Sequence, residues 1–194
     1  VHLLRRMESG RQPLVLDLYC GGGGSSEGVR RAGAVSTGVD LSDQPHFKAK
    51  FGSEWFTLGD ALDLERLRGL VRRLKPIGVI ASPPCEGFST ATFAGAKSTV
   101  ERLISATRDV LEALGLPYVI ENVLGARKEI REHALVVRGQ DFGLRTERPR
   151  FLEAGGGLDL RVEEALARGG AALRRRCCLG ERNRYGQLDS FGLP

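Results

Sequence analysis

Leu14-Val15-Leu16-Asp17-Leu18-Tyr19-Cys20 is an apolar run of strand length, and four consecutive glycines, Gly21 to Gly24, follow it without a spacer. Ser25-Ser26-Glu27 then opens a helical stretch that Gly33 stops. Strand, glycine turn and helix in that order open a nucleotide-binding α/β unit. Glycine serves there because the backbone must turn sharply and let a ligand lie against it. A glycine run alone is weak evidence. The dinucleotide fingerprint fits poorly, since with Gly21 and Gly23 as its first two glycines the third position falls on Ser26.

The next segments strengthen the nucleotide reading. Val35-Ser36-Thr37-Gly38-Val39-Asp40 is a second strand that ends in an acid about twenty residues after the glycines, the placement that grips ribose hydroxyls. Phe56-Thr57-Leu58-Gly59-Asp60 is a third short strand ending in an acid. With no basic residue beside them, the two acids suit a nucleoside and argue against a 2′-phosphate. The plain structural alternative is that Asp60 caps the following helix.

That helix spans Asp63 to Leu74, with leucines at 64, 67, 70 and 74 as a core-facing stripe. Ile77 to Ala81 reads as a buried strand, Thr99 to Leu114 as a long amphipathic helix, and Leu116 to Val123 as a fifth strand. Ala134 to Val137 and the neighbourhood of Phe151-Leu152 supply a sixth and seventh. Strands alternating with helices predict an α/β fold with a mostly parallel central sheet and helices on both faces.

Two strand ends carry reactive groups. Ser82-Pro83-Pro84-Cys85 ends the fourth strand abruptly, because neither proline can donate a ladder hydrogen bond. Cys85 is thereby presented at the carboxyl edge of the sheet, where ligands gather in open α/β folds. Gly87 and the Ser89-Thr90-Ala91-Thr92 run make residues 82–98 a candidate lid. The plain alternative is a buried structural cysteine. Glu121 and Asn122 close the fifth strand at the same edge, and a carboxylate finishing an apolar run is costly without a partner.

The 194 residues predict one domain, 1–153, with a short, basic appendage over 154–194. No apolar run approaches a membrane span, and residues 1–13 lack a signal-peptide core. Four cysteines, two of them the adjacent Cys177 and Cys178, make no disulfide framework and fit a reducing cytosol. Those vicinal cysteines lack chelate spacing, and His2, His46 and His133 form no cluster with them, so no metal site is expected. The net charge is +5, and arginine dominates it: only five of the 29 basic residues are lysines. Arginine suits phosphate and guanine edges, and a GC-rich genome gives the same bias, so charge makes nucleic acid plausible and no more.

The ordered set of motifs resembles the cytosine-C5 DNA methyltransferases that use S-adenosyl-L-methionine, over about Leu14 to Arg150. Asp17-Leu18-Tyr19-Cys20-Gly21-Gly22-Gly23-Gly24 resembles the cofactor motif, with Tyr19 where the family usually has Phe. Asp40 matches the ribose acid and Asp60 the acid that reads the adenine amino group. Pro84-Cys85 stands where the family has its Pro-Cys nucleophile, Glu121-Asn122-Val123 matches its Glu-Asn-Val, and Arg148 and Arg150 fit its Arg-x-Arg. The resemblance implies a Rossmann-like methyltransferase fold and a cofactor site of Asp17, Tyr19, Gly21, Gly23, Asp40, Leu41, Asp60, Ala61 and Pro83. It implies catalytic roles for Cys85, Glu121, Arg148 and Arg150, and substrate contacts from Pro84, Ser89 and Asn122. Double-stranded DNA is the implied partner, in a bacterial or phage-infected cytoplasm.

The chemistry of those residue types agrees. A thiolate adding to cytosine C6 turns C5 into an enamine-like carbon able to take an alkyl group, and a base inside a duplex must be flipped out to be reached. Three departures stand out: Glu86 replaces the usual Gln, Thr146 precedes Arg-x-Arg where Gln is usual, and the two C-terminal family motifs have no match. The chain resembles small phage-type members and reads as truncated or as one half of a split enzyme, which would need a second subunit or a further C-terminal segment. The alternatives are a tRNA cytosine-C5 methyltransferase, a non-catalytic subunit binding cofactor or DNA, and last a nicotinamide dehydrogenase.

Overall fold

The computed structural model describes residues 12–85 and 103–160. Expectations for Glu86, Ser89, the lid beyond Cys85, the appendage beyond residue 160 and Cys177-Cys178 lie outside the described residues.

Seven strands form one sheet: β1 Leu14–Leu18, β2 Val35–Asp40, β3 Phe56–Leu58, β4 Gly78–Ala81, β5 Tyr118–Val123, β6 Leu135–Val137 and β7 Arg150–Gly155. Their spatial order is β3-β2-β1-β4-β5-β7-β6. The pairs among β1 to β5 are parallel, and β7 runs antiparallel to both neighbours. The helices are α1 Gly24–Arg31, α2 Pro45–Phe51, α3 Leu64–Leu74 and α4 Leu103–Leu114. Helix α2 has no counterpart among the predicted elements, although Pro45 at its first turn and Gly52 just past its end are start and stop signals.

Strand parity puts helices on both faces. Leu16 and Leu18 join Val39, Val79, Ala81 and Ile120 in a core with Leu67 and Leu70 of α3 and Ile104 and Leu111 of α4. Asp17 points the other way and accepts a hydrogen bond from Ser26 of α1 at 2.6 Å. Gly38, opposite Asp17 in register, faces the Phe47 ring of α2, and a methyl group there would sit 2.7 Å from that ring.

Strand β7 continues through Gly155, so Ala154 and Gly155 belong to the sheet and the expected boundary at residue 153 falls inside a strand. The cap of α3 is Asp63, whose side chain accepts from the Arg66 amide, and not Asp60. No helix among the described residues is long and apolar enough to cross a membrane, and no group of three or more metal-ligating side chains forms among them.

Candidate active site

Parallel strands deliver their last residues to one edge, while an antiparallel strand delivers its first ones there. Strands β4 and β5 therefore bring Cys85 and Glu121 to the edge at which β7 begins with Arg150. Register makes the match specific: Glu121 lies opposite Leu152 and Val123 opposite Arg150. Glu121 and Arg150 are thus diagonal neighbours on one face. Arg150 Nε reaches Glu121 Oε1 at 2.8 Å, with both side chains about one-third exposed or less (26% and 32%). A cleft of about 220 Å3 is lined by Ser82, Pro83, Pro84, Cys85, Glu121, Asn122, Val123, Arg148 and Arg150.

The two described cysteines differ in kind. Cys20 is buried under the glycine turn, and that burial, with Asp17 and Asp40 nearby, pushes its thiol up to about 12, so it stays protonated. Cys85 is half-buried and opens into the cleft. Arg148, an exposed non-glycine residue at φ 28, departs from the backbone regions favoured by L residues. Strain of this sort persists only where surrounding structure holds it, and it collects at functional sites.

Asn122, expected to meet substrate, is tied into the protein itself. Its side chain is 1% exposed and both ends of its amide are engaged: Nδ2 donates to the Pro83 carbonyl at 3.0 Å, and Oδ1 accepts from the Val123 amide at 2.9 Å. It ties the turn before Cys85 to the end of β5.

A second group of predicted residues gathers around the glycine turn. Tyr19 enters it at φ 58 and shares a 2.8 Å hydrogen bond between its hydroxyl and that of Thr107 on α4. The Gly21 amide donates to Asp40 Oδ2 at 2.9 Å, and the Ser42 amide to Asp40 Oδ1 at 3.0 Å. Each carboxylate oxygen keeps a lone pair for a further donor. Gly21 sits at φ 47 with open space where a side chain would be, Leu41 is 74% exposed, and Asp60 is exposed beside Tyr19. An acidic edge, an uncovered apolar side chain and a bare backbone turn fit a nucleoside-bearing cofactor.

Four residues expected at the cofactor, Asp17, Gly23, Ala61 and Pro83, are buried. Asp17 is fully buried beneath the turn and touches Ser26, so it holds α1 to β1. Gly23, at φ 88, is a glycine because a larger residue would strike the Phe51 and Phe47 rings. The Ala61 methyl is 2% exposed and belongs to the core. Pro83 is likewise buried, with its carbonyl held by Asn122. Hydrophobic periodicity gives no sign of these inward turns.

Asp17 carries a testable consequence. Burial outweighs the Ser26 bond and pushes its carboxyl up from 3.8 to about 6, and its Oδ1 has no partner. A raised pKa means a stabilising contribution that is full below the unfolded value and is lost as pH rises through the folded one. A rise of that size corresponds to roughly 3 kcal/mol. Asp17→Asn is therefore expected to gain on the wild type by up to about 3 kcal/mol between about pH 4 and pH 7.5. Urea midpoints at the two pH values check it; a difference that stays flat refutes the buried-acid account.

No family model and no curated protein sequence matches the chain. Among solved structures, it is similar to a triple mutant of Spodoptera frugiperda DNMT2, at 16% identity and a TM-score of 0.51, covering 72% of this chain and 48% of that one. The chain thus spans about half the length of that protein. It also matches the magnesium protoporphyrin IX methyltransferase of Synechocystis PCC 6803 with bound SAM, at 20% identity and a TM-score of 0.43, over 79% of this chain and 75% of that one. The second likeness is too loose to build on. At such identities the similarity is one of fold: a Rossmann-like methyltransferase architecture.

Proposed function

We propose that the protein is an S-adenosyl-L-methionine-dependent methyltransferase acting on C5 of cytosine in DNA, through a transient bond between Cys85 and C6 of a flipped-out base. The observation that carries this reading is the convergence of Cys85, Glu121, Arg148 and Arg150 on one cleft at the carboxyl edge of the sheet. Tyr19, Gly21, Asp40, Leu41 and Asp60 would hold the cofactor at the glycine turn. Bound there, the cofactor supplies an electrophilic methyl group.

The residues of the chain divide the remaining work. Cys85, as thiolate, adds to C6 and the electron pair moves toward C5 and N3. Glu121 faces the exocyclic amino group and N3, where charge develops, while Arg150 keeps its carboxylate in place. Arg148, without a regular ladder position, is set to meet the base or its phosphate. Once C5 has been alkylated, loss of the C5 proton and of the thiolate restores the aromatic ring. Asn122 fixes the backbone from which Cys85 projects.

Duplex DNA carrying 5-fluorocytosine tests the reading, because fluorine at C5 blocks the release step and leaves the thiol attached. A covalent protein–DNA species that needs cofactor and Cys85 is expected. Trapping on tRNA alone would move the substrate to RNA. No trapping on either, even with a C-terminal fragment supplied, would leave a binding subunit.

A further inference from the structure

A second cavity, of about 210 Å3, lies away from this cleft and has no part in the chemistry above. It is lined by Ser26 and Arg30 of α1, Ala34, Val35 and Ser36 at the start of β2, and Lys50, Phe51 and Trp55. Strand β2 ends at Asp40 on the proposed cofactor edge. Five steps of about 3.3 Å separate Val35 from Asp40, so this cavity opens roughly 17 Å away, toward the amino end of the sheet.

Its chemistry is uneven in an informative way. Phe51 and Trp55 supply apolar, planar wall. The floor is the hydroxyl pair Ser26 and Ser36, 2.7 Å apart and 0% and 8% exposed. Ser26 has one proton and gives it to Asp17, so Ser36 must be the donor to Ser26. The mouth is cationic. The lining cations Arg30 and Lys50 both reach Glu27, at 2.9 and 3.4 Å. One carboxylate facing two lining cations leaves a surplus of one positive charge. Lys50 also lies 5.5 Å above the Phe51 ring, at the junction of apolar wall and charged rim.

The geometry points to a binding site for a small organic anion: a ring seated against Phe51 and Trp55, with a short acidic arm toward Lys50 and Arg30. The site is independent of the proposed methyl transfer, and its test uses no catalytic readout.

Trp55 is the sole tryptophan of the chain, so its emission reports on this cavity alone. Phenylacetate is the probe and neutral phenylacetamide its control. A saturable change in Trp55 emission with phenylacetate is expected, with the amide bound about tenfold more weakly for want of a charge-assisted contact. Lys50→Glu should weaken the acid by about tenfold or more, and Ala34→Phe, which fills the cavity, should abolish the response. Equal binding of acid and amide, no saturable response, or an Ala34→Phe protein of native thermal stability that still binds would each overturn the assignment. Should Ala34→Phe fail to fold, the amide and the exposed Lys50→Glu variant decide alone.

Discussion

Cys85→Ala is expected to lower methyl transfer to cytosine by at least about 10⁴-fold, the scale on which a covalent nucleophile is missed. The same protein should bind cofactor as before and unfold at nearly the wild-type temperature. The side chain is half-buried at a loop, and alanine removes a sulfur that supports no core. Glu121→Gln should follow with a loss of about 10²–10⁴-fold, since the amide keeps the shape but cannot carry the charge that answers the base and Arg150. The order of the two effects matters. In the proposed mechanism Glu121 helps an addition that Cys85 makes, so a Cys85→Ala protein with substantial residual turnover would dispose of the covalent route, whatever Glu121 does. Single-turnover rates with matched cofactor-binding constants separate these outcomes from simple misfolding.

What could be read from the chain alone was whatever has a local cause. Short apolar runs bounded by glycine, proline or acidic residues mark all seven strands, because each has its own hydrophobic signature. The juxtaposition of Cys85 and Glu121 followed from a general rule about where parallel strands end. The pairing of Arg150 with Glu121 rests on a register that no single segment encodes. It depends on β7 entering antiparallel, so that its first residue meets the last of β5. Side-chain direction was equally hidden. Asp17, Gly23 and Asn122 sit in motif positions that suggest ligand contact, yet each faces inward: to Ser26, to Phe51 and to Pro83. Asx and glycine chemistry looks the same in sequence whether it serves a ligand or the backbone beneath it.

A buried ion pair, equally without a local signature in the sequence, joins β7 to α4. Glu153 in the middle of β7 is 0% exposed and Arg108 on α4 only 12%. Arg108 grips the carboxylate with two nitrogens, at 2.6 and 2.9 Å, and donates to the Glu129 carbonyl as well. The Arg131 amide adds a bond to Glu153 at 2.9 Å, and the Arg131 side chain pairs onward with Glu112. Burial alone would raise the Glu153 pKa, but these donors outweigh it and hold the carboxyl below its ordinary range. Glu153→Gln would leave the Arg108 guanidinium shut in without its counter-charge, and should cost about 3–5 kcal/mol. For a chain of this length that is a fall in Tm of roughly 6–20 °C. Replacing both partners by apolar residues, Arg108→Met with Glu153→Leu, should recover much of the loss, because no lone charge remains inside. In the wild type the lowered pKa means stabilisation present at neutral pH, which is lost as pH falls below the unfolded value toward the folded one. The single variant should lose that acid-side dependence. Because β7 carries Arg150 three residues before Glu153, the loosened strand should also weaken the Glu121 contact. A Glu153→Gln protein within about 1 kcal/mol of wild type would show that this pair does not fasten β7 to α4.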